Sequence, residues 1–238
     1  MDIPDLQPLY ERFADMPVVS ISDAQRDPLP NVNWLGTVYH GLPQGQYEFH
    51  DQAGKYLAFL GRISPEKGVD RAIEIASLAG VPLKIAAKVD RADQEYFETK
   101  IQPLLNNPLV ELIGEIGYPD KNDFLGNALA LLFPINWPEP FGLVMIEAIA
   151  CGTPVIAHPC GSVPEIIEEG RTGILVDDAQ GAAKAVEHVS KISREGCRRR
   201  FEERFGATRM AKDYLAVYKR LTRRVPEVLH LGNGVSVG

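Results

Sequence analysis

Residues 129–157, LALLFPINWPEPFGLVMIEAIACGTPVIA, decide the fold because they contain two strand patterns joined by one helix pattern. The apolar run at 129–133 predicts a buried strand, and three prolines and a glycine then break the chain. A helix is predicted to begin near Phe141 and to stop at Gly152-Thr153-Pro154, which leads into a second apolar run at 154–157. This order predicts one βαβ unit of a parallel sheet.

The same alternation of strand and helix patterns extends in both directions from this unit. Further apolar runs stand at 56–60, 83–87, 109–113 and 173–176, and helix patterns follow Ser64-Pro65 and cover about 180–193 and about 207–222. Because the runs are continuously apolar, helices are expected to cover both faces of the sheet. The sequence predicts a doubly wound, Rossmann-like α/β domain over residues 48–222.

The segments outside this domain are too short to fold alone. Residues 1–34 hold a short helical pattern and one strand pattern at 17–21, which is too little for a core. We interpret 1–34 as the remnant of a preceding domain, 35–49 as a crossover and 223–238 as a loose tail. His40 lies in the crossover and is interpreted as a hinge residue.

Composition excludes several classes of function. The chain has 238 residues and a formal net charge of −7, which argues against a general nucleic-acid-binding protein. It has neither an apolar run long enough to span a membrane nor a signal-peptide pattern, so a cytoplasmic location is expected. The three cysteines and five histidines show no metal-ligand spacing, so neither a structural metal nor a disulfide framework is predicted.

Positive charge is concentrated near the end of the chain. Residues 191–224 contain 12 Lys or Arg residues against 4 Asp or Glu residues in a helical pattern. One interpretation is a solvated helix face, and the other is peripheral contact with an anionic membrane surface. The sequence leaves both open.

Two loops are expected to form a ligand site at the carboxyl edge of the sheet, where ligands of such folds bind. After the first strand of the domain, Gly61 permits close approach, and Arg62 and Lys67 carry positive charge. After the fourth strand, the backbone N–H groups of Phe141, Gly142 and Leu143 begin a helix and can bind an anion. Together these groups suit a diphosphate.

Glu139 and Glu147 require a different partner, because carboxylates repel phosphate. They accept hydrogen bonds, and sugar or ribose hydroxyl groups on either side of a diphosphate would supply them. The combination describes a nucleotide sugar. The alternatives are that Glu139 is an ordinary first-turn carboxylate and that Glu147 is an exposed helix residue.

These residues also carry a family resemblance. EPFGLVMIEAIACGTPVIA, with its Glu-x7-Glu spacing, resembles the signature of the family 4 retaining glycosyltransferases (glycosyl transferases group 1) of the GT-B fold. GRISPEKG resembles the diphosphate-binding segment of that family, and GSVPEIIEEGRTGILV at 161–176 extends the match. The resemblance covers nearly all of 48–222 and is to the C-terminal, donor-binding half of the fold.

The resemblance implies a role for each matched residue. Arg62 and Lys67 would bind the donor diphosphate, Glu139 would hold the transferred sugar, and Glu147 would bind the ribose. The amides of Phe141, Gly142 and Leu143 would contact the sugar and phosphate.

The implied reaction moves a glycosyl group from a nucleoside diphosphate sugar to an acceptor hydroxyl with retention, without metal or cofactor. The resemblance also implies an N-terminal Rossmann domain that this chain lacks, so the chain alone is expected to bind donor but not to transfer it. Residues 114–118 are expected to line the base pocket. The donor sugar, base, acceptor, oligomeric state and the role of His158 stay undetermined.

Three other functions compete with this interpretation. A dehydrogenase on the same sheet would need G-x-G-x-x-G after the first strand, and GRISPEKG lacks that pattern. A sugar-nucleotide epimerase or phosphorylase of GT-B architecture is not excluded. A binding or regulatory module that holds nucleotide sugars without turnover also stays open.

Overall fold

A computed structural model describes residues 6–118 and 120–224. Its strands are β1 (Val18–Ser20), β2 (Trp34–Thr37), β3 (Leu57–Arg62), β4 (Leu83–Lys88), β5 (Val110–Gly114), β6 (Ala130–Phe133), β7 (Val155–Ala157) and β8 (Gly173–Leu175). Its helices are α1 (Gln7–Arg12), α2 (Val69–Ala79), α3 (Gln94–Tyr96), α4 (Asp120–Gly126), α5 (Leu143–Ala150), α6 (Val163–Ile166), α7 (Ala179–His188), α8 (Arg194–Arg204) and α9 (Ala207–Arg224). Short 3-10 turns connect several of them, including Pro65–Lys67 and Val189–Lys191.

Six parallel strands form the main sheet in the order β5-β4-β3-β6-β7-β8. The chain runs outward from β3 to β5, returns to place β6 beside β3, and then runs outward to β8 on the other side. All six strands predicted from the apolar runs are confirmed, with ends that differ by at most two residues. The doubly wound, Rossmann-like fold is also confirmed.

The core lies on both faces of the central strands. Every residue of β6 and β7 is buried, as continuous apolar runs predict. Helix α5 is buried from Met145 to Ala150, with Glu147 as the one charged residue in that stretch. A carboxylate in the middle of a buried helix needs hydrogen-bond donors around it, so neighbouring side chains are expected to bind Glu147.

The C-terminal helices differ in part from the expectation. The helix predicted at 180–193 ends at His188, because a 3-10 turn follows and a separate helix, α8, begins at Arg194. The Ser193 side chain caps α8 by accepting a hydrogen bond from the Gly196 amide at 3.0 Å. Helix α9 continues to Arg224, and the rest of the predicted tail, 225–238, lies outside the described residues.

The N-terminal segment packs on the last helix. Strand β1 pairs in parallel with β2, a strand that the sequence did not predict. Leu35 and Val38 of the crossover form a small second core with Val217 of α9, and Val19 of β1 packs against this core, so the N-terminal segment reaches the C-terminal helix. Its assignment as the remnant of a preceding domain stays a prediction.

No helix among the described residues is both long enough and apolar enough to cross a membrane. Cys151, Cys160 and Cys197 are free thiols, and burial raises the pKa of both Cys151 and Cys197 to about 12, so neither forms a thiolate near neutral pH.

Candidate functional site

The candidate site lies where the strand order reverses, between β3 and β6. The chain leaves these neighbouring strands in opposite directions, and the loops that follow them border a crevice at the carboxyl edge of the sheet. The loops after β3 and β6 are in close backbone contact: a Cβ atom at Gly68 would lie only 2.3 Å from the Pro134 carbonyl oxygen. Gly68 also has a positive φ of 73°, so glycine is required there for two reasons.

Lys67 and Glu139 meet across this crevice. The Lys67 ammonium donates to Glu139 Oε2 at 2.5 Å, and the Trp137 indole N–H donates to the same oxygen at 3.0 Å. The ammonium also lies 5.0 Å from the centre of the Trp137 ring. Glu139 is only 8 % exposed, so it is not the ordinary first-turn carboxylate considered as an alternative.

Arg62 lies at the end of β3, on the same edge of the sheet, and is half exposed. Its guanidinium contacts Glu66 at 3.2 Å and Asp90 at 3.7 Å. Burial acts to raise the pKa of Glu66, but hydrogen bonds at the turn and the charges of Arg62 and Lys67 hold it below its usual value. The charges of both predicted cations thus act on one carboxylate, which indicates that they lie near each other at this edge.

The start of α5 is open to an anion. Gly142 has a positive φ of 76° and has no side chain to cap the helix, and no acidic residue lies in the first turn. Within the described part of the chain, no acceptor is recorded for the N–H groups of Phe141, Gly142 and Leu143. Phe141 is buried and Leu143 is exposed, so the backbone turns from core to surface at this point.

Glu147 is held from two separate parts of the chain. The Tyr47 hydroxyl donates to Glu147 Oε1 at 2.8 Å, and the Lys121 ammonium donates to the same oxygen at 3.0 Å. Glu147 is 8 % exposed, so the alternative of an exposed helix residue is wrong. Tyr118, in the predicted base segment, is exposed and packs edge-on against Tyr47 with 6.3 Å between ring centres.

Three contacting residues were missed at the sequence level. Trp137 stands two residues before Glu139 in the same loop, and this proximity in the sequence could have indicated that its indole N–H contacts Glu139. Tyr47 and Lys121 lie 100 and 26 positions from Glu147 along the chain, so no local pattern connects them to it.

The crossover contacts the start of α5 through His40. The His40 ring packs edge-on against Phe141 with 4.8 Å between ring centres. Burial, and then the charge of Arg209, lower the pKa of His40, so the ring is neutral near pH 7. Glu165 does not face the crevice as a free carboxylate, because it accepts hydrogen bonds from the Asp23 and Ala24 amides and the Tyr39 hydroxyl.

His158 borders the crevice from the end of β7. Its Nδ1 lies 3.2 Å from the Ile135 carbonyl oxygen in the loop after β6. Burial and the charge of Arg71 lower the pKa of His158, although the hydrogen bond to the Ile135 carbonyl acts in the opposite direction.

The structure contains two cavities of about 480 Å³, one far from the candidate site and one beside it. One is at the opposite end of the sheet, lined by residues such as Leu129 and Pro154 that precede β6 and β7. The other lies beside the Glu139 loop, between Pro138, Pro140 and the N-terminal segment. Among residues 6–118 and 120–224, no group of three or more His, Cys, Asp or Glu side chains could hold a metal ion.

Comparisons with known proteins agree with this architecture. A family model described as glycosyl transferases group 1 matches residues 46–207. An uncharacterized 41.2 kDa protein in the cps region of Klebsiella pneumoniae is 32% identical over 174 residues, which cover 68% of this chain and 46% of that protein. The D-inositol 3-phosphate glycosyltransferase of Mycolicibacterium smegmatis is 34% identical over 149 residues, which cover 58% of this chain and 30% of the enzyme. The chain thus spans less than half the length of these curated relatives.

Solved structures share the fold over most of the chain. The glycosyltransferase AviGT4, involved in avilamycin A biosynthesis, superposes with a TM-score of 0.75 and 26% identity, covering 87% of this chain and 64% of that one. Anabaena HepE, solved in complex with UDP and glucose, superposes with a TM-score of 0.78 and 19% identity, covering 91% and 67%.

Proposed function

Since this chain belongs to the glycosyl transferases group 1 family, we propose that it is the donor-binding part of a retaining glycosyltransferase of family 4. The complete enzyme would move a glycosyl group from a nucleoside diphosphate sugar to an acceptor hydroxyl. The observation that carries this proposal is the contact of Lys67 with Glu139 across the crevice, directly before the open start of α5.

The crevice supplies positive charge where the reaction would need it. Negative charge grows on the departing diphosphate as the glycosidic bond stretches, and fixed positive groups stabilise that charge. Lys67, Arg62 and the N–H groups of Phe141, Gly142 and Leu143 would do this in our proposal. Gly61, at the end of β3, would allow the phosphates to approach the backbone.

The two buried carboxylates would hold the groups on either side of the diphosphate. We assign the transferred sugar to Glu139 and the ribose to Glu147, because each carboxylate has one oxygen without a recorded partner among the described residues, and this oxygen can accept hydroxyl hydrogen bonds. Lys67 would divide its contacts between Glu139 and the donor phosphate. The base would lie beside the segment 114–118, where Tyr118 offers an exposed ring for stacking.

Nucleotide binding by the chain itself tests this proposal. Thermal unfolding should be measured with UDP, ADP and GDP, and then with the sugar nucleotides of whichever base stabilises the protein. We expect the melting temperature to rise with at least one nucleotide and to rise equally in EDTA and in Mg²⁺, because the proposal assigns phosphate binding to protein cations. Absence of any shift with all three nucleotides would contradict the proposal.

Turnover distinguishes the competing functions. The intact protein should be incubated with the stabilising sugar nucleotide and an acceptor panel, and the release of free nucleoside diphosphate should be followed. A transferase releases it together with a glycosylated product that keeps the anomeric configuration. Binding without release would indicate a binding or regulatory module, and an isomerised sugar nucleotide would indicate an epimerase.

We also propose that the protein works in the cytoplasm and contacts an anionic membrane surface through α9. Part of the positive charge in 191–224 is neutralised within the protein, because Arg200 and Arg204 of α8 bind Glu168. Helix α9 is different, since Leu215 and Tyr218 are more than half exposed and lie close to the exposed Lys219.

Sedimentation with phosphatidylserine liposomes tests this membrane contact. We expect binding at low salt that falls as salt is raised, and weaker binding after Lys212→Glu and Lys219→Glu, which reverse two exposed charges of α9. Liposomes of phosphatidylcholine alone are the control. If the protein stays in the supernatant at low salt, the membrane proposal is wrong.

A further inference from the structure

Each of the two buried carboxylates has one oxygen held by two donors. Lys67 and Trp137 both donate to Glu139 Oε2, and Tyr47 and Lys121 both donate to Glu147 Oε1. Within the described ranges, no donor is recorded for Glu139 Oε1 or Glu147 Oε2. A carboxylate with one oxygen held in this way has a fixed orientation, and its second oxygen can accept hydrogen bonds from a ligand.

The donors to Glu147 are suited to hold it firmly. Burying a carboxylate without partners is strongly unfavourable, and Lys121 supplies the opposite charge while Tyr47 supplies a neutral donor. Burial and the neighbouring Glu147 charge raise the pKa of the Tyr47 hydroxyl, which therefore keeps its proton near neutral pH. Tyr47 itself is 3% exposed, so its ring has little freedom to move.

The two donors come from different elements than the carboxylate they hold. Tyr47 lies in the crossover, Lys121 lies in α4 and Glu147 lies in α5. The Lys121 side chain is 27% exposed, so its ammonium stands at the mouth of the site rather than within the core. The position of Glu147 Oε2 thus depends on the packing of three separate segments.

We propose that Tyr47 and Lys121 are positioning residues that fix Glu147 Oε1 and leave Oε2 to accept a ribose hydroxyl. This inference rests on the proposed function, because it takes a nucleoside diphosphate as the ligand. It goes beyond that function by assigning the discrimination between ribose and deoxyribose to two residues outside the Glu139–Glu147 motif and the GRISPEKG segment. A site with a buried acceptor aimed at a hydroxyl discriminates against the analogue that lacks it, because the acceptor is then left unpaired.

Calorimetric titration of the chain gives the test. Dissociation constants are measured for UDP, ADP and GDP, and then for the 2′-deoxy and 3′-deoxy forms of the nucleotide that binds tightest. We expect the wild type to prefer the ribonucleotide over at least one deoxy form by about 10- to 100-fold. Tyr47→Phe and Lys121→Met should each lower this preference to about 3-fold or less, and Lys121→Arg should restore part of it.

The preference ratio separates positioning from a general loss of structure, because loosened packing would weaken both nucleotides alike. Tyr56→Phe and Lys84→Met are matched controls, since the Tyr56 hydroxyl donates to the Phe124 carbonyl and Lys84 pairs with Glu111, away from Glu147. Both should keep the full preference.

The outcomes that would overturn the inference are distinct from failure of the proposed function. If Tyr47→Phe and Lys121→Met both fold and keep the full preference, the two residues do not position Glu147. If the wild type binds a nucleotide without any ribose preference, Glu147 Oε2 is not aimed at a ribose hydroxyl. If the wild type binds none of the three nucleotides, the proposed function itself is wrong.

Discussion

Replacing Lys67 with alanine in the intact enzyme should lower glycosyl transfer about 100- to 1000-fold, the range observed when one preorganised donor is removed from a developing negative charge. Lys67 pairs directly with Glu139, and its side chain is only 18% exposed. In the alanine variant, water would therefore be a poor substitute for its positive charge. Arg62→Ala should act in the same direction. Initial rates at saturating donor, compared with the wild type, give the measurement.

A matched control separates the loss of this cation from a loss of structure. Lys84→Ala removes a lysine that pairs with Glu111, and we expect it to leave the rate unchanged. Lys67→Ala should lower the melting temperature, because the nearly buried Glu139 loses its ion-pair partner, but the protein should stay folded, since Trp137 still donates to the same oxygen and no core side chain is removed. Near-normal transfer by both Lys67→Ala and Arg62→Ala would show that these residues do not bind the diphosphate.

The largest effect on stability is expected at Arg194, which joins the start of α8 to the loops at the amino edge of the sheet. Its guanidinium donates to the carbonyl oxygens of His50, Gly126 and Ala128 and to the Thr153 hydroxyl. Arg194→Met would remove this donor from the three backbone carbonyls, while the Thr153 hydroxyl would keep its bond to the Leu125 carbonyl, and we expect the free energy of unfolding to fall by about 3–5 kcal/mol.

Urea denaturation followed by circular dichroism measures this loss. Arg199→Met is the control, because Arg199 is an exposed arginine of the same helix and its replacement should change the free energy of unfolding by no more than about 0.5 kcal/mol. A loss below about 1 kcal/mol for Arg194→Met would show that the four hydrogen bonds contribute little.

The main sheet could be predicted from the sequence because its strands are continuous apolar runs separated by clear helix patterns. Strand β2 could not be predicted from the sequence, because Trp34–Thr37 is short and partly exposed. It forms a strand only through its pairing with β1 and its packing on α9. Helix α8 lies between the two helices predicted at 180–193 and 207–222 and was not predicted as a separate helix, because its sequence is dominated by charged residues and its apolar residues are Cys197 and Phe201 alone.

The candidate site was predictable where its residues follow strand ends. Lys67 and Glu139 lie in the loops after β3 and β6, and the sequence placed both at one edge without indicating that they form an ion pair. Tyr47 and Lys121 were not predictable, because they approach Glu147 only after the crossover and α4 have packed against α5. Contacts of this kind depend on tertiary structure, which a single sequence does not specify locally.

Fluorescence of Trp137 reports whether a nucleotide enters the crevice. The chain has two tryptophans, so Trp34→Phe leaves Trp137 alone beside Glu139 and Lys67. Titration of that variant with the nucleoside diphosphate that stabilises it should change the Trp137 emission saturably, with the dissociation constant found by calorimetry. Calorimetric binding with unchanged Trp137 emission would place the nucleotide elsewhere and contradict binding between Lys67, Glu139 and the start of α5.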